Sequence, residues 1–265
     1  MPELVGDTMI DMVVVNYHTY DLLDRFVSSY EQYQPSCNSN LIIIDNDSVS
    51  NEIHYKYLSH DVWASPENLG YGGGCNLGAS LGDAPYIGLF NSDVEFVNNT
   101  CVDICVQYLE DNPSVGICGP FQFTDRFGRK EITSAGIFGT NQTPKHRAWR
   151  ELDRGKYRDN EPCLMVMGSA MFIRRTAWDA IRLDPLFMTL YPDSLGAMPN
   201  YPLYYEDTFL CYLMPHYGYE VHYVGQAELK HGWHETIDRH GDSGYLTTSQ
   251  TLFRHDLDLY GIAHD

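Results

Sequence analysis

The chain has 265 residues, 43% hydrophobic and 20% charged, with a net charge of −19. That length suits one large or two small domains with ample room for a core, and the acidic balance excludes a general nucleic-acid binder, which carries a basic footprint. No apolar run approaches the roughly 18–20 residues of a membrane span, and the N-terminus, MPELVGDTMIDM, lacks the basic region and apolar core of a signal peptide. Seven irregularly spaced cysteines without such a signal point to reduced thiols and a cytoplasmic location. Cys101 and Cys105, one helical turn apart, read as small buried hydrophobes.

In chain order, Ile10–Tyr17 is a first buried strand, IDMVVVNY. A helix follows over Tyr20–Tyr33, capped by Thr19 or Asp21, with Leu22, Leu23, Phe26 and Val27 on its apolar side. Leu41–Asp45 is a second strand. Strand, helix and strand within so short a stretch form a βαβ unit on a parallel sheet, whose doubly buried strands are continuous apolar runs such as VVV and LIII. Asp45 ends that strand. It is either a turn or cap aspartate or, as in nucleotide-binding α/β folds, a ligand for a ribose or base. After a short strand, Val62–Ala64, comes the glycine-rich NLGYGGGCNLG of Asn68–Gly78, read as a loop that lets backbone approach an anion, followed by a small helix through Ala79 and Leu81.

Tyr86–Phe96, YIGLFNSDVEF, is apolar, then polar at Asn91, Ser92 and Asp93, then apolar again. It reads as a buried strand delivering polar side chains to the sheet's carboxyl edge, where such folds bind ligands. Asp93 there offers a hard oxygen ligand suited to Mg²⁺ or Mn²⁺, although Asn-Ser-Asp also makes a good turn. A helix over 99–111, stopped by Pro113, and a strand at Val115–Pro120 follow.

Nine of the 17 cations fall between Arg126 and Arg158. The segment is either a solvated charged loop or a flap over an anionic ligand, with Lys145 to Arg158 as its candidate groups. Between 139 and 161 hydrophobic periodicity is lost, as in a functional or disordered loop. Cys163–Arg174 is a buried strand or strand pair in which Gly168, Ser169 and Ala170 allow close packing, and Thr176–Ile181 is a short helix. Glu206 and Asp207 open an amphipathic helix, Thr208–Tyr217, where the dipole favours anions. A strand at Tyr219–Val224 and a closing amphipathic helix at Tyr245–Tyr260 complete the chain.

Together these pieces resemble the GT-A glycosyltransferases of the inverting family 2 type, which includes rhamnosyl- and galactofuranosyltransferases. The resemblance rests on VVVNY at 13–17, IIIDNDS at 42–48, ENLGYGGGCNLG at 67–78, FNSDV at 90–94, GSAMFIRR at 168–175, YYEDTFLC at 204–211 and the histidine of LKHGWH at 229–234. It implies a single GT-A α/β domain with a mostly parallel central sheet flanked by helices. Residues 1–125 would be its nucleotide-sugar half and 126–265 its acceptor and catalytic half, with a basic flexible loop at about 139–161. It implies a UDP-, dTDP- or GDP-linked sugar donor and Mn²⁺ or Mg²⁺. The acceptor would be a glycan, a lipid-linked glycan or a protein, with duplex DNA the least suited.

By the same resemblance Asn16, Tyr17, Asp45, Asn68, Gly70, Asn76, Asn91 and Ser92 line the nucleotide-sugar site, Asp93 and His231 hold the metal, and Asp207 is the general base beside Glu206. His234 is the alternative to His231. The family's Asp-x-Asp motif here begins with Asn91, which removes one charge.

Overall fold

The computed structural model describes residues 9–46, 56–57, 59–232 and 244–264. Asp47, Ser48, Trp233 and His234 lie outside the described residues. The apolar runs become strands: Ile10–Asn16 (β1), Ser39–Asn46 (β2), Asp61–Ser65 (β3) and Tyr86–Asn91 (β4). They pair in parallel in the order β3-β2-β1-β4. Helix α1, Tyr20–Gln32, crosses between β1 and β2, and α2, Gly70–Ser80, between β3 and β4.

The same sheet continues past β4, through Val115–Arg126 (β6), Asn160–Pro162 (β10), Ala170–Arg174 (β11) and Glu220–His231 (β12), in the order β4-β11-β6-β12-β10. Here β11 is antiparallel to both neighbours, while β6 and β12 are parallel. Val94–Phe96 (β5) adds to β12 and Arg129–Ser134 (β7) to β6, giving a mixed sheet of ten strands. Ile137–Thr140 (β8) and Thr143–His146 (β9) form a separate hairpin.

Alternation along the strands divides the core. Met12, Val14, Leu41 and Ile43 pack on one face, with α1 and with α3, Cys101–Asp111. Val13, Val15, Ile42 and Ile44 pack on the other. That second face carries α2, α4 (Arg175–Arg182), α5 (Pro185–Leu190), α6 (Glu206–Leu213) and α7 (Tyr245–Leu259). The chain is thus a mixed α/β domain with helices on both faces of one sheet.

Three expectations change. The glycine-rich stretch is helix from Gly70 onward, not an open loop, so most of its amides are spent within α2. Glycine is a poor helix former, yet here it lets α2 lie on the sheet. A Cβ at Gly74 would stand 2.8 Å from Val15 Cγ1, and one at Gly78 would stand 2.2 Å from Val13 Cγ1. Thr19 does not cap α1 through its side chain; its buried hydroxyl turns to Asn16 Oδ1 and Ser92 Oγ.

The segment 139–161 is not structureless either. It contains β9, most of the β8–β9 turn and the start of β10, and residues 150–153 run alongside β7 (Ile132 N to Glu151 O 2.8 Å, Asp153 N to Lys130 O 2.8 Å). Its charges are partly consumed internally. Arg158 meets Asp153 at 2.7 Å and Arg147 pairs with Glu161, while outside the segment Lys130 meets Glu228 at 2.8 Å.

Candidate active site

The polar ends of β1, β2 and β4 meet at one edge of the sheet. In the β1–β2 register Asn16 stands opposite Asp45, and Asn16 Nδ2 donates to Asp45 Oδ1 at 2.8 Å. Asn16 Oδ1 accepts from Thr19 Oγ1 at 2.9 Å, and Thr19 Oγ1 lies 2.9 Å from Ser92 Oγ. Both Asn16 and Asp45 are fully buried, on the α1 side. The next residue of β2 points the other way. Asn46 therefore faces the α2 side. Its Nδ2 donates to Asn68 Oδ1 at 3.0 Å and to Gly70 O at 3.1 Å, and its Oδ1 accepts from Leu69 N at 2.8 Å. Asn46 fastens the entry of α2 to the sheet edge.

Asp93 follows β4, and His231 ends β12. They are far apart in sequence, but antiparallel pairing of β5 with β12 sets His231 against Val94. Gly232 N also donates to Asp93 O at 2.8 Å. His231 Nε2 lies 3.5 Å from Asp93 Oδ1, and both side chains are almost wholly buried. Burial alone raises the Asp93 carboxyl, but the neighbouring His231 outweighs it and holds the group below the ordinary carboxylate value.

Asp93 Oδ1 accepts no well-formed hydrogen bond among the described residues. A buried carboxylate oxygen left over beside an imidazole nitrogen fits a divalent cation. Among the described residues no group of three or more His, Cys, Asp or Glu could hold one, so these residues offer a pair of candidate ligands, Asp93 and His231. Mg²⁺-type sites commonly use one or two carboxylates and leave the rest to substrate phosphates and water.

The third element is the start of α6. Tyr204 (φ 74°) and Tyr205 (φ 70°) both lie in the left-handed region, which bulky residues rarely enter and which clusters at functional sites. This turn delivers Glu206 and Asp207. Asp207 Oδ2 accepts from Gly168 N at 2.9 Å, and its Oδ1 from Thr208 N at 2.7 Å. A Cβ at Gly168 would lie 2.7 Å from Asp207 Oδ2, so only glycine brings that amide to the carboxylate. Burial raises the Asp207 carboxyl above its ordinary value, and the bonds from Gly168 and Thr208 oppose the rise.

Glu206 is more deeply buried, and its Oε2 has no hydrogen-bond partner among the described residues. Burial first, and the Asp207 charge second, push it up to about 8. At neutral pH Glu206 is therefore mainly a neutral acid. The folded state binds the Glu206 proton more tightly than the unfolded chain, whose value is 4.5. Its contribution to stability is full below that value and is lost as pH rises through about 8. Glu206→Gln is expected to flatten the fall in unfolding free energy between pH 5 and pH 9, a fall on the order of a few kcal/mol for this one group, read by denaturant titration. An unchanged slope in that variant contradicts the assignment.

One cleft of about 700 Å³ joins these elements. Its wall includes Tyr17, Asn68, Gly70, Asn91, Ser92, Asp93, Glu206, Asp207 and His231, so most of the expected site residues share one space. Asn16 and Asp45 are not on that wall; they bond each other at the adjoining strand ends. Asn76 lies off it too. It donates to Ser194 Oγ and Met198 O and accepts from Met198 N, which ties the 194–198 loop to α2.

None of the nine cations between Arg126 and Arg158 reaches the cleft. That segment contributes Ile137, Asn141, Pro144 and His146, and Arg254 is the only Lys or Arg on the wall among the described residues. Leu246, Gln250, Phe253 and Arg254 of α7 form one helical face on the cleft. Phe253 is anchored by stacking on Tyr205, with ring centroids 5.0 Å apart. Their i, i+4, i+7, i+8 spacing was legible as an amphipathic stripe, but nothing in it indicated what the stripe faces.

A family model described as glycosyl transferase family 2 matches residues 11–182, well over half of the chain. The chain belongs to glycosyl transferase family 2. Among solved structures it is similar to GalNAc-T7 with UDP, GalNAc and Mn²⁺ (TM-score 0.63, 15% identity, 85% of this chain and 45% of that one). It is also similar to the mannosyltransferase PcManGT from Pyrobaculum calidifontis in complex with GDP-Man and Mn²⁺ (TM-score 0.58, 10% identity, 92% of this chain and 60% of that one). S. aureus TarS 1-349 is a third (TM-score 0.56, 11% identity, 94% of this chain and 65% of that one). These likenesses show the GT-A fold. The chain spans between about half and two-thirds of the length of each of the three. No curated protein matches it.

Proposed function

We propose that this cleft transfers a glycosyl group from a nucleotide-diphosphate sugar to an acceptor hydroxyl with inversion, and that Asp207 is the general base. The observation that carries this is the Asp207 carboxylate, fixed by Gly168 N and Thr208 N on the wall of the same cleft that holds Asp93 and His231. A base positioned by backbone amides, with its affinity for protons raised by burial, is suited to take the acceptor's proton as its oxygen attacks the anomeric carbon. Attack from the face opposite the leaving diphosphate inverts that carbon in one step. Glu206, neutral beside it, avoids a second negative charge next to the base.

Asn46 and Asn68 present amide groups at the β2–α2 edge, and with Tyr17 and Gly70 they form the wall assigned to the nucleotide. Asp93 and His231 would hold Mn²⁺ or Mg²⁺, which when bound neutralises charge on the diphosphate as a Lewis acid. Two fold neighbours were solved with Mn²⁺ and with UDP or GDP-Man, which supports a UDP-, dTDP- or GDP-linked donor. The acceptor class is a glycan, a lipid-linked glycan or a protein.

The test is nucleotide-diphosphate release from a panel of such donors with Mn²⁺, Mg²⁺ or EDTA, and NMR of the product's anomeric proton. Metal-dependent release with an inverted product is expected; a retained configuration overturns the one-step mechanism. A second reading, a sugar-nucleotide or glycan binder without turnover, is motivated by Asn91, whose amide oxygen is a weaker ligand than carboxylate. Tight nucleotide binding with no release under any metal would establish it.

A further inference from the structure

The turn between β6 and β7 breaks local rules without an internal return. Asp125 pairs with Lys130 and Arg126 with Arg129, leaving Phe127 and Gly128 as a two-residue hairpin loop. Both have positive φ, 52° and 72°, the type I′ geometry that favours Asn, Asp or Gly. Here the first position holds phenylalanine, in a conformation that bulky side chains avoid, and its ring is 95% exposed. Only Arg126 approaches it, with the guanidinium 6.0 Å from the ring centroid. A strained turn residue that covers nothing in its own chain signals a role outside it.

The surroundings give the partner's chemistry. The 150–153 segment runs antiparallel to β7, with Glu131 opposite Leu152. Extended two residues past that bridge, the register would set Arg154 opposite Arg129, with Lys156 two residues beyond. Arg129, Arg154 and Lys156 are exposed, and none has a carboxylate partner among the described residues. Acidic groups are present but engaged: Glu131 lies 3.9 Å from Arg126, Asp153 lies 2.7 Å from Arg158, and Glu228 lies 2.8 Å from Lys130. Asp125 faces Lys130 across the ladder.

In a chain of net charge −19, this end of the hairpin carries unpaired positive charge around a bare aromatic ring. We propose that the β6–β7 tip, Arg126 to Arg129 with Arg154 and Lys156, docks on an anionic lipid bilayer, the ring entering the headgroup region and the cations meeting lipid phosphates. An apolar anchor joined to several cations is the combination that binds such surfaces, whereas either signal alone is marginal. Gln122, in the same strand, bonds Ser169 of the cleft wall at 2.6 Å. The tip is thus about five residues, roughly 16 Å, from the cleft at strand rise.

The test uses the full chain and vesicles of phosphatidylcholine alone or with 30% phosphatidylglycerol, read by co-flotation. Binding is expected only to the anionic vesicles and to weaken with salt. Arg129→Glu with Arg154→Glu is expected to lower it by more than the roughly fivefold per cation that removal alone produces. Phe127→Asn is expected to lower it severalfold while keeping or raising the thermal midpoint, because Asn suits the turn. No binding to anionic vesicles overturns the proposal. So does equal binding by the folded variants, or binding that is lost only when the protein unfolds. Capture by a protein partner with no vesicle binding overturns it as well. None of these outcomes depends on whether the cleft transfers a sugar.

Discussion

Replacing Asp207 by asparagine is expected to lower transfer by about 10²- to 10⁴-fold, the usual worth of a positioned general base, with little effect on nucleotide affinity. The reason lies in the geometry at Gly168. Asp207 Oδ2 accepts from the Gly168 amide and Oδ1 from the Thr208 amide, so the carboxylate is held in place before an acceptor arrives. The amide that replaces it keeps the shape but cannot take a proton. Its NH₂ also meets one backbone N–H head on, so a modest fall in thermal midpoint accompanies the loss. Because β2, α2 and β4 are untouched, calorimetry with the nucleotide diphosphate serves as the control for folding. If Asp207→Asn retains most of the wild-type rate, the proton goes elsewhere and the assignment fails.

Asp93→Ala is expected to abolish metal-dependent binding of the donor, a loss of at least about 10²-fold on the scale of removing one strong electrostatic stabiliser. Asp93 is the only carboxylate in the two-residue set with His231, and its Oδ1 is already buried without a hydrogen bond. His231→Ala should weaken Mn²⁺ less, since a carboxylate is the harder ligand. Unchanged Mn²⁺ dependence in Asp93→Ala would falsify the metal assignment.

Much of this was legible beforehand because buried parallel strands write their own signature. VVV and LIII could only be interior, and the polar residues after them had to stand at a sheet edge. That reasoning put Asp93 and the β1 and β2 ends at a sheet edge, while Asp207 was singled out by the family resemblance of YYEDTFLC and not by its place at a helix start. What it left open was direction, which one residue of strand alternation decided. Asp45 and Asn16 point to α1, while Asn46, one residue on, reaches the cleft side.

The glycines of α2 misled for a different reason. Propensity marks them as breakers, but contact with Val13 and Val15 requires them in a helix, and tertiary packing overrides propensity. The basic segment misled because charge counts do not show pairing: Arg147 and Arg158 are spent on Glu161 and Asp153. The α7 face with Arg254 was invisible because a helical stripe gives a direction, not a neighbour.

Nucleotide binding in this cleft is expected to depend on a divalent ion. Calorimetric titration of UDP, dTDP and GDP into the wild-type chain, with Mn²⁺ and again with EDTA, tests it. One of the three is expected to bind with Mn²⁺ and to lose that binding in EDTA. Failure of all three to bind in any metal, or binding of equal strength in EDTA, would contradict it.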